Sequence, residues 1–203
     1  NRHMKYFSFL ISVVLPGFYV ATGTFHQELI PTSLMYTIAS AEATTPFSLM
    51  QESIMVLVLY EIMREAGLRL PKTIGHAVSI IGALVIGDAV VNAGLVGAPM
   101  LVVVAVTAIA SYVIYPLYES ISILRIIFIL LGGFTGIYGI ILGVCALCLN
   151  IAALNPYGVP YSAPISPLNH KSIGDIFYRE SWRTLAKRNV KVQNLRGADI
   201  DRV

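Results

Sequence analysis

Long apolar runs broken by a few polar residues set the plan of this chain. From Tyr6 to Thr24 the run is long enough to cross ~30 Å of hydrocarbon as one helix. Pro31 to Thr45 is too short to span straight; Pro31 suits a helix start and Thr45-Pro46 a stop, which predicts a short re-entrant or interfacial helix. A second span is expected over Phe47–Met63. The link REAGLRLPK follows it, with Gly67 as terminator and Pro71 blocking continuation. A third span is expected over Thr73–Val91 and a fourth over Ala98–Tyr115, joined by the turn NAGLVGAP.

The next stretch, Ser120 to Leu154, is apolar throughout except for Arg125. As a single helix it would be ~50 Å long, more than one ordinary crossing needs. Gly132-Gly133, Gly136 and Gly139 predict a break and therefore a helical hairpin. Beyond it, the prolines of PYGVPYSAPISP forbid a helix. GDIFYRESWRTLAKR then reads as an amphipathic helix, with Ile176, Phe177, Trp182 and Leu185 on one face. The expectation is an all-α, polytopic membrane protein of five to six spans, a short re-entrant or interfacial helix and an amphipathic C-terminal helix.

Composition agrees. Hydrophobic residues make up 56% and charged residues 12%, against roughly 25% charged in soluble domains. The region from Asn169 to Val203 holds eight Lys/Arg and four Asp/Glu. The positive balance is thus a property of the tail, which fits anionic lipid and not nucleic acid. Two regions follow: 1–168 as transmembrane domain and 169–203 as basic cytoplasmic tail. Arg2, Lys5, Arg64, Arg69 and Lys72 place the N-terminus and the link after the second span inside as well. A basic start before an apolar run also fits a signal peptide, but the chain stays hydrophobic far beyond it.

Little here supports catalysis. No phosphate-binding loop is present. Cys145 and Cys148 form CALC within an apolar run and lack partner ligands at zinc spacing. His26 and Glu28 alone make a weak metal pair. Ser111, His76 and Asp88 can be drawn as a triad, but no hydrolase motif frames them. Gly75, Ser79 and Ala83 form a small-residue stripe suited to helix packing. No catalytic residue, metal site or cofactor is therefore expected.

Carboxylates at membrane depth are different, because they need a partner, a bundle interior or water. Glu28, Glu42, Glu52, Glu61 and Glu65 punctuate the region Phe25–Pro71. Glu52 and Glu61 are nine residues apart, about 180° around a straight helix, so they cannot share one face. Glu61, Arg64 and Glu65 suit an ion-pair cluster at the inner boundary. Asp88 with Asn92, and Thr107 with Ser111, are i, i+4 polar pairs that line water or bond neighbouring helices.

The motifs FHQELIPTSL, PF-x(5)-E, EIMREAGLRLPK, IGALVIG, AGLVGAPMLVVVAVTAIASYV and GVPYSAPISPL, in this order, resemble the GerA family of bacterial spore germination proteins. The resemblance runs from about Arg2 to Leu168. It implies the A-type membrane subunit of a nutrient germinant receptor, or its stage V sporulation protein AF relative, in the inner membrane of the spore. It further implies a homo-oligomer around an ion-conducting pore, with a transporter-like B subunit and a C-type lipoprotein as partners. Members carry a sizeable domain ahead of the first span, so the chain is expected to be a fragment or a truncated form. Gln is more usual at Asp88, and an apolar residue at Ser162. Within this picture the pore-lining candidates are Glu52, Glu61, Asp88 and Asn92. A non-conducting scaffold is the alternative; a secondary transporter lacks the expected inverted repeat.

Overall fold

The computed structural model describes residues 2–71, 82, 85–155 and 161–162. Helix α1 covers Arg2–Thr24, α2 Thr32–Glu42, α3 Leu49–Arg69, α4 Ala98–Tyr112, α5 Tyr118–Thr135 and α6 Ile137–Ala153. Short 3-10 turns at Gln27–Leu29 and Tyr115–Leu117 precede α2 and α5, and a π-helical segment, Val85–Val90, precedes α4. No strand occurs among the described residues. The chain divides into two compact units, His3–Gly143 and Val144–Val203.

Local chemistry explains most boundaries. Gln51 Oε1 accepts the Ser48 N–H at 3.1 Å, which satisfies a free donor ahead of α3. That helix runs through Gly67 to Arg69 and stops before Pro71. Gly67 is therefore not the terminator: a helical glycine costs only ~1 kcal/mol, whereas a proline forces the residue before it out of the α region. Gly97 caps α4 and Pro99 occupies its first turn. The helix ends at Tyr112, three residues earlier than expected, and Tyr115–Leu117 forms a separate turn around Pro116.

The long apolar stretch after Ser120 is broken at Gly136. Its φ of 66° and ψ of −147° lie in a region only glycine enters readily. The first part of α6, residues 137–143, then folds back onto α5. A Cβ at Gly143 would lie 2.8 Å from Leu131 Cδ1 and 3.2 Å from Phe128, and one at Gly139 would lie 2.8 Å from the Leu131 carbonyl. Such contacts between residues eight to fifteen apart in sequence require a hairpin, as the glycines predicted.

α1 and α5 meet at a close crossing. Gly17 faces Gly132 so closely that a Cβ on either would overlap the other helix's backbone. Val20, Leu49, Val56, Leu57, Val96, Met100, Val104 and Ile129 form the buried cluster that joins α1, α3, α4 and α5.

Around this apolar cluster, polar side chains are also buried while many large apolar ones face outward. Ser8, Ser12, Thr22, Glu52, Ser53, Thr107, Ser111 and Arg125 are buried, whereas Val102, Ile109, Ile123 and Phe134 point outward. The inward hydroxyls of Thr22, Ser53, Thr107 and Ser111 satisfy themselves on carbonyls three or four residues back. Apolar outside and satisfied polar inside is the arrangement that hydrocarbon solvent demands. Among the described residues, two helices, His3–Thr24 and Tyr115–Thr135, are long and apolar enough to cross a membrane; Ala98–Tyr112 and Ile137–Ala153 are apolar but shorter. A count of five to six spans goes beyond these helices.

Of the second unit, the described part comprises the end of α6 and a short turn in which the Tyr161 N–H donates to the Leu154 carbonyl at 2.9 Å. The expected third span falls largely outside the described residues. So do His76, the small-residue stripe and the amphipathic C-terminal helix.

Candidate functional site

Helix α3 carries two polar centres on opposite sides, as its periodicity requires. Glu52 lies one turn into the helix and is fully buried. Its Oε2 accepts the Gly97 N–H at 3.3 Å, so the carboxylate faces the N-terminus of α4, where partial positive charge gathers. Its Oε1 has no hydrogen-bond partner, nor does the buried Oε1 of Glu42 at the end of α2. α2 does not span, and Glu42 is half-buried there. Burial first, and then the charge of Glu52, push its carboxyl above the usual range.

Glu61 anchors the second centre. The Tyr118 hydroxyl donates to its Oε1 at 3.1 Å, and the Ser122 hydroxyl donates to the same oxygen. Arg64 Nε donates to Oε2 at 3.2 Å while its guanidinium sits 3.6 Å over the Tyr118 ring. Behind this lies Arg125, 1% exposed. Its Nε donates to the Ser12 carbonyl at 3.0 Å and its Nη2 to Ser111 Oγ at 2.5 Å. Its Nη1 makes no hydrogen bond and stands 4.0 Å from Glu61 Oε1. Glu61, Ser122 and Arg125 also border a cavity of about 170 Å³ with Leu57, Val58, Ile62 and Ile126. One charged network thus ties α1, α3, α4 and α5 together.

The cluster expected from Glu61, Arg64 and Glu65 is split. Glu61 and Arg64 pair and turn inward, whereas Glu65 pairs with Arg69 at 2.8 Å on the exposed surface. Asp88 and Asn92 come together outside both centres. The Asn92 Nδ2 donates to Asp88 Oδ1 at 2.8 Å, and both side chains are exposed. Asp88 belongs to the π-helical segment, where one extra residue per turn loosens the helix. Of the four sequence candidates, then, Glu52 is buried against α4, Glu61 is held by α5, and Asp88 and Asn92 form an exposed pair.

Arg125, Ser12 and Glu42 were not singled out from sequence as site residues. The available signal was Arg125 itself, a cation inside an apolar run, which is a functional candidate by default. Ser111 was weighed as a nucleophile and, with Thr107, as a polar pair lining water or bonding a neighbouring helix; here it accepts from Arg125 of α5. Among the described residues, no group of three or more His, Cys, Asp or Glu is placed to hold a metal ion. Cys145 and Cys148 are free and exposed.

Comparison with known proteins bears on this arrangement. A family profile described as "Bacillus/Clostridium GerA spore germination protein" matches residues 1–191. The "Uncharacterized membrane protein YfkQ" of Bacillus subtilis (strain 168) is 44% identical over 92% of this chain and 37% of its own length. "Spore germination protein KA" of the same organism is 43% identical over 92% of this chain and 35% of its own. "Spore germination protein GerLA" of Bacillus cereus is 42% identical over 88% and 37%, respectively. The chain thus spans little more than a third of the length of these curated relatives. No solved structure matches it.

Proposed function

The chain belongs to the GerA family of Bacillus/Clostridium spore germination proteins, and from that premise we propose that it is the membrane domain of an A-type germinant-receptor subunit whose copies assemble around a cation-conducting pore. Opening of the pore would start germination by cation release. In this reading residues 1–168 cross the inner spore membrane five to six times, and 169–203 form a basic cytoplasmic tail. A transporter-like B subunit and a C-type lipoprotein complete the receptor. The chain acts by conduction and not by catalysis. The germination role rests on the names of the relatives, and the membrane setting on the long apolar helices and the large apolar side chains that face outward.

The observation that carries the pore is the exposed Asp88–Asn92 pair, hydrogen-bonded within itself at the end of the expected third span. Such a pair at the mouth of a span is served by water or by a partner, and a ring of copies would supply both. Glu52 and Glu61 remain candidates of a second kind. They are inside the protomer now and reach a pore only if α3 moves.

One experiment tests the placement. Asn92→Cys, with Cys145 and Cys148 replaced by Ser, is treated with a charged, membrane-impermeant thiol reagent in the assembled full-length receptor. Modification that lowers cation flux supports a water-filled axis at Asn92; a thiol that reacts only with lipid-soluble reagents removes Asn92 from the pore.

A second reading is a non-conducting scaffold that couples the nutrient sensor to a separate channel. It is favoured by the fact that Glu52 and Glu61 already have internal partners. A closed ring in solution supports the channel, and a stable monomer bound to the B subunit supports the scaffold.

A further inference from the structure

Helix α1 carries a proline, Pro16, within its length. Proline has no backbone N–H, and its ring crowds the carbonyl four residues earlier. The Ser12 carbonyl is therefore left without its helical donor. Ser12 and Pro16 are both buried, so water does not replace that donor, and an unpaired carbonyl is strongly disfavoured at membrane depth. The missing donor comes from 113 residues away: Arg125 Nε reaches the Ser12 carbonyl at 3.0 Å.

The neighbouring residue makes this close approach possible. Gly17 lies backbone against backbone on Phe128 and Gly132 of α5. Arg125, Phe128 and Gly132 fall on one buried stripe of that helix. α5 thus presents a guanidinium to the vacated carbonyl just before the point where the two helices touch.

Arg125 pairs with Glu61 by charge but not by a hydrogen bond. Its two hydrogen bonds go to a neutral carbonyl and a hydroxyl, and the arm nearest Glu61 is unbonded at 4.0 Å. Glu61 is held instead by Tyr118, Ser122 and Arg64. A shift of α3 that draws Glu61 off Tyr118 and Ser122 brings it onto the free Nη1 while Nε keeps the Ser12 carbonyl, so one rigid guanidinium then links α3 to α1. We propose that Arg125 is the clasp of a hinge in α1 at Pro16–Gly17, and that the clasp couples the bend of α1 to the position of α3 through Glu61.

The test is suppression. Replacing Pro16 with Ala returns a backbone N–H to Ser12, which makes the clasp redundant for α1. Spin labels at Phe7 and Phe134, both exposed, are placed in the full-length protein in lipid nanodiscs, with Cys145 and Cys148 replaced by Ser. Their separation should be narrowly distributed in the parent, broadened by Arg125→Leu, and narrow again in the Pro16→Ala/Arg125→Leu double variant. A double variant as broad as Arg125→Leu alone, or no broadening in Arg125→Leu, overturns the hinge. If Arg125→Leu does not insert, Arg125→Lys is compared with and without Pro16→Ala; it keeps a charge for Glu61 but loses the rigid fork, and the same two outcomes decide. A second label pair, Phe7 with the exposed Leu68 of α3, reads the coupling. Glu61→Gln should broaden this pair and leave Phe7–Phe134 narrow; an unchanged Phe7–Leu68 distribution overturns the link to α3.

Discussion

Glu61 shows what a single side chain carries here. It accepts from Tyr118, Ser122 and Arg64 and is the acidic group facing the buried Arg125. Glu61→Gln keeps the shape but removes the charge. Hydrogen bonds to a charged group contribute about 1.5–3 kcal/mol each when lost, and Glu61 is a quarter exposed, which argues for the lower end. The detergent-solubilised protein should lose roughly 2 kcal/mol of stability in denaturant titration; an unchanged midpoint would mean the network is ornamental.

Glu42 gives the opposite sign. Its folded-state carboxyl is raised by burial and by Glu52, so the fold favours the protonated form. That contribution is present at low pH and is lost as pH climbs from the ordinary carboxylate value through the raised one. Glu42→Gln, always neutral, should therefore melt higher than the parent above that window and equal to it below. Equal melting across the whole range would show that neither burial nor Glu52 raises this carboxyl.

These residues also mark how far the sequence could be read. Glu52 and Glu61 on opposite faces followed from helical geometry alone, because nine residues fix the angle. Arg125 could be seen as anomalous, but its partner could not be named. Ser12 and Arg125 are far apart in sequence, and only the packing of Gly17 on Gly132 brings them together. The inner-boundary cluster failed for a related reason: spacing offered Glu61 and Glu65 equally to Arg64, and the tertiary fold turned one inward and left the other to Arg69.

At the level of elements, glycine decides where helices bend and how closely they meet. Periodicity found the helices, and the run of glycines found the hairpin. It could not choose among them, since the choice depends on which one reaches a positive φ. Gly136 is that residue, and any Cβ there would also crowd Phe25 and His26. Gly136→Ala should cost ~1–3 kcal/mol from backbone strain alone. Gly133→Ala meets instead the flexible side chain of Met50 and should cost less. Thermal melts of the two variants check the order; a Gly133 variant weaker than the Gly136 variant would contradict this account of the turn. Gly132→Val faces the fixed backbone of Gly17 and should cost ~1–3 kcal/mol through overpacking.

For the whole molecule, buried Glu52, Arg125 and the hydroxyls around them give a protomer with 12% charged residues a charged interior. The proposed pore rests on a different feature, the exposed Asp88–Asn92 pair. The most direct measurement is alkali-cation release from liposomes holding the full-length receptor, triggered by nutrient, in the parent and in Asp88→Leu and Asn92→Leu. The account predicts release from the parent and a several-fold slower release from each variant with assembly intact. No release from the assembled parent, or release unchanged by both replacements, would contradict it.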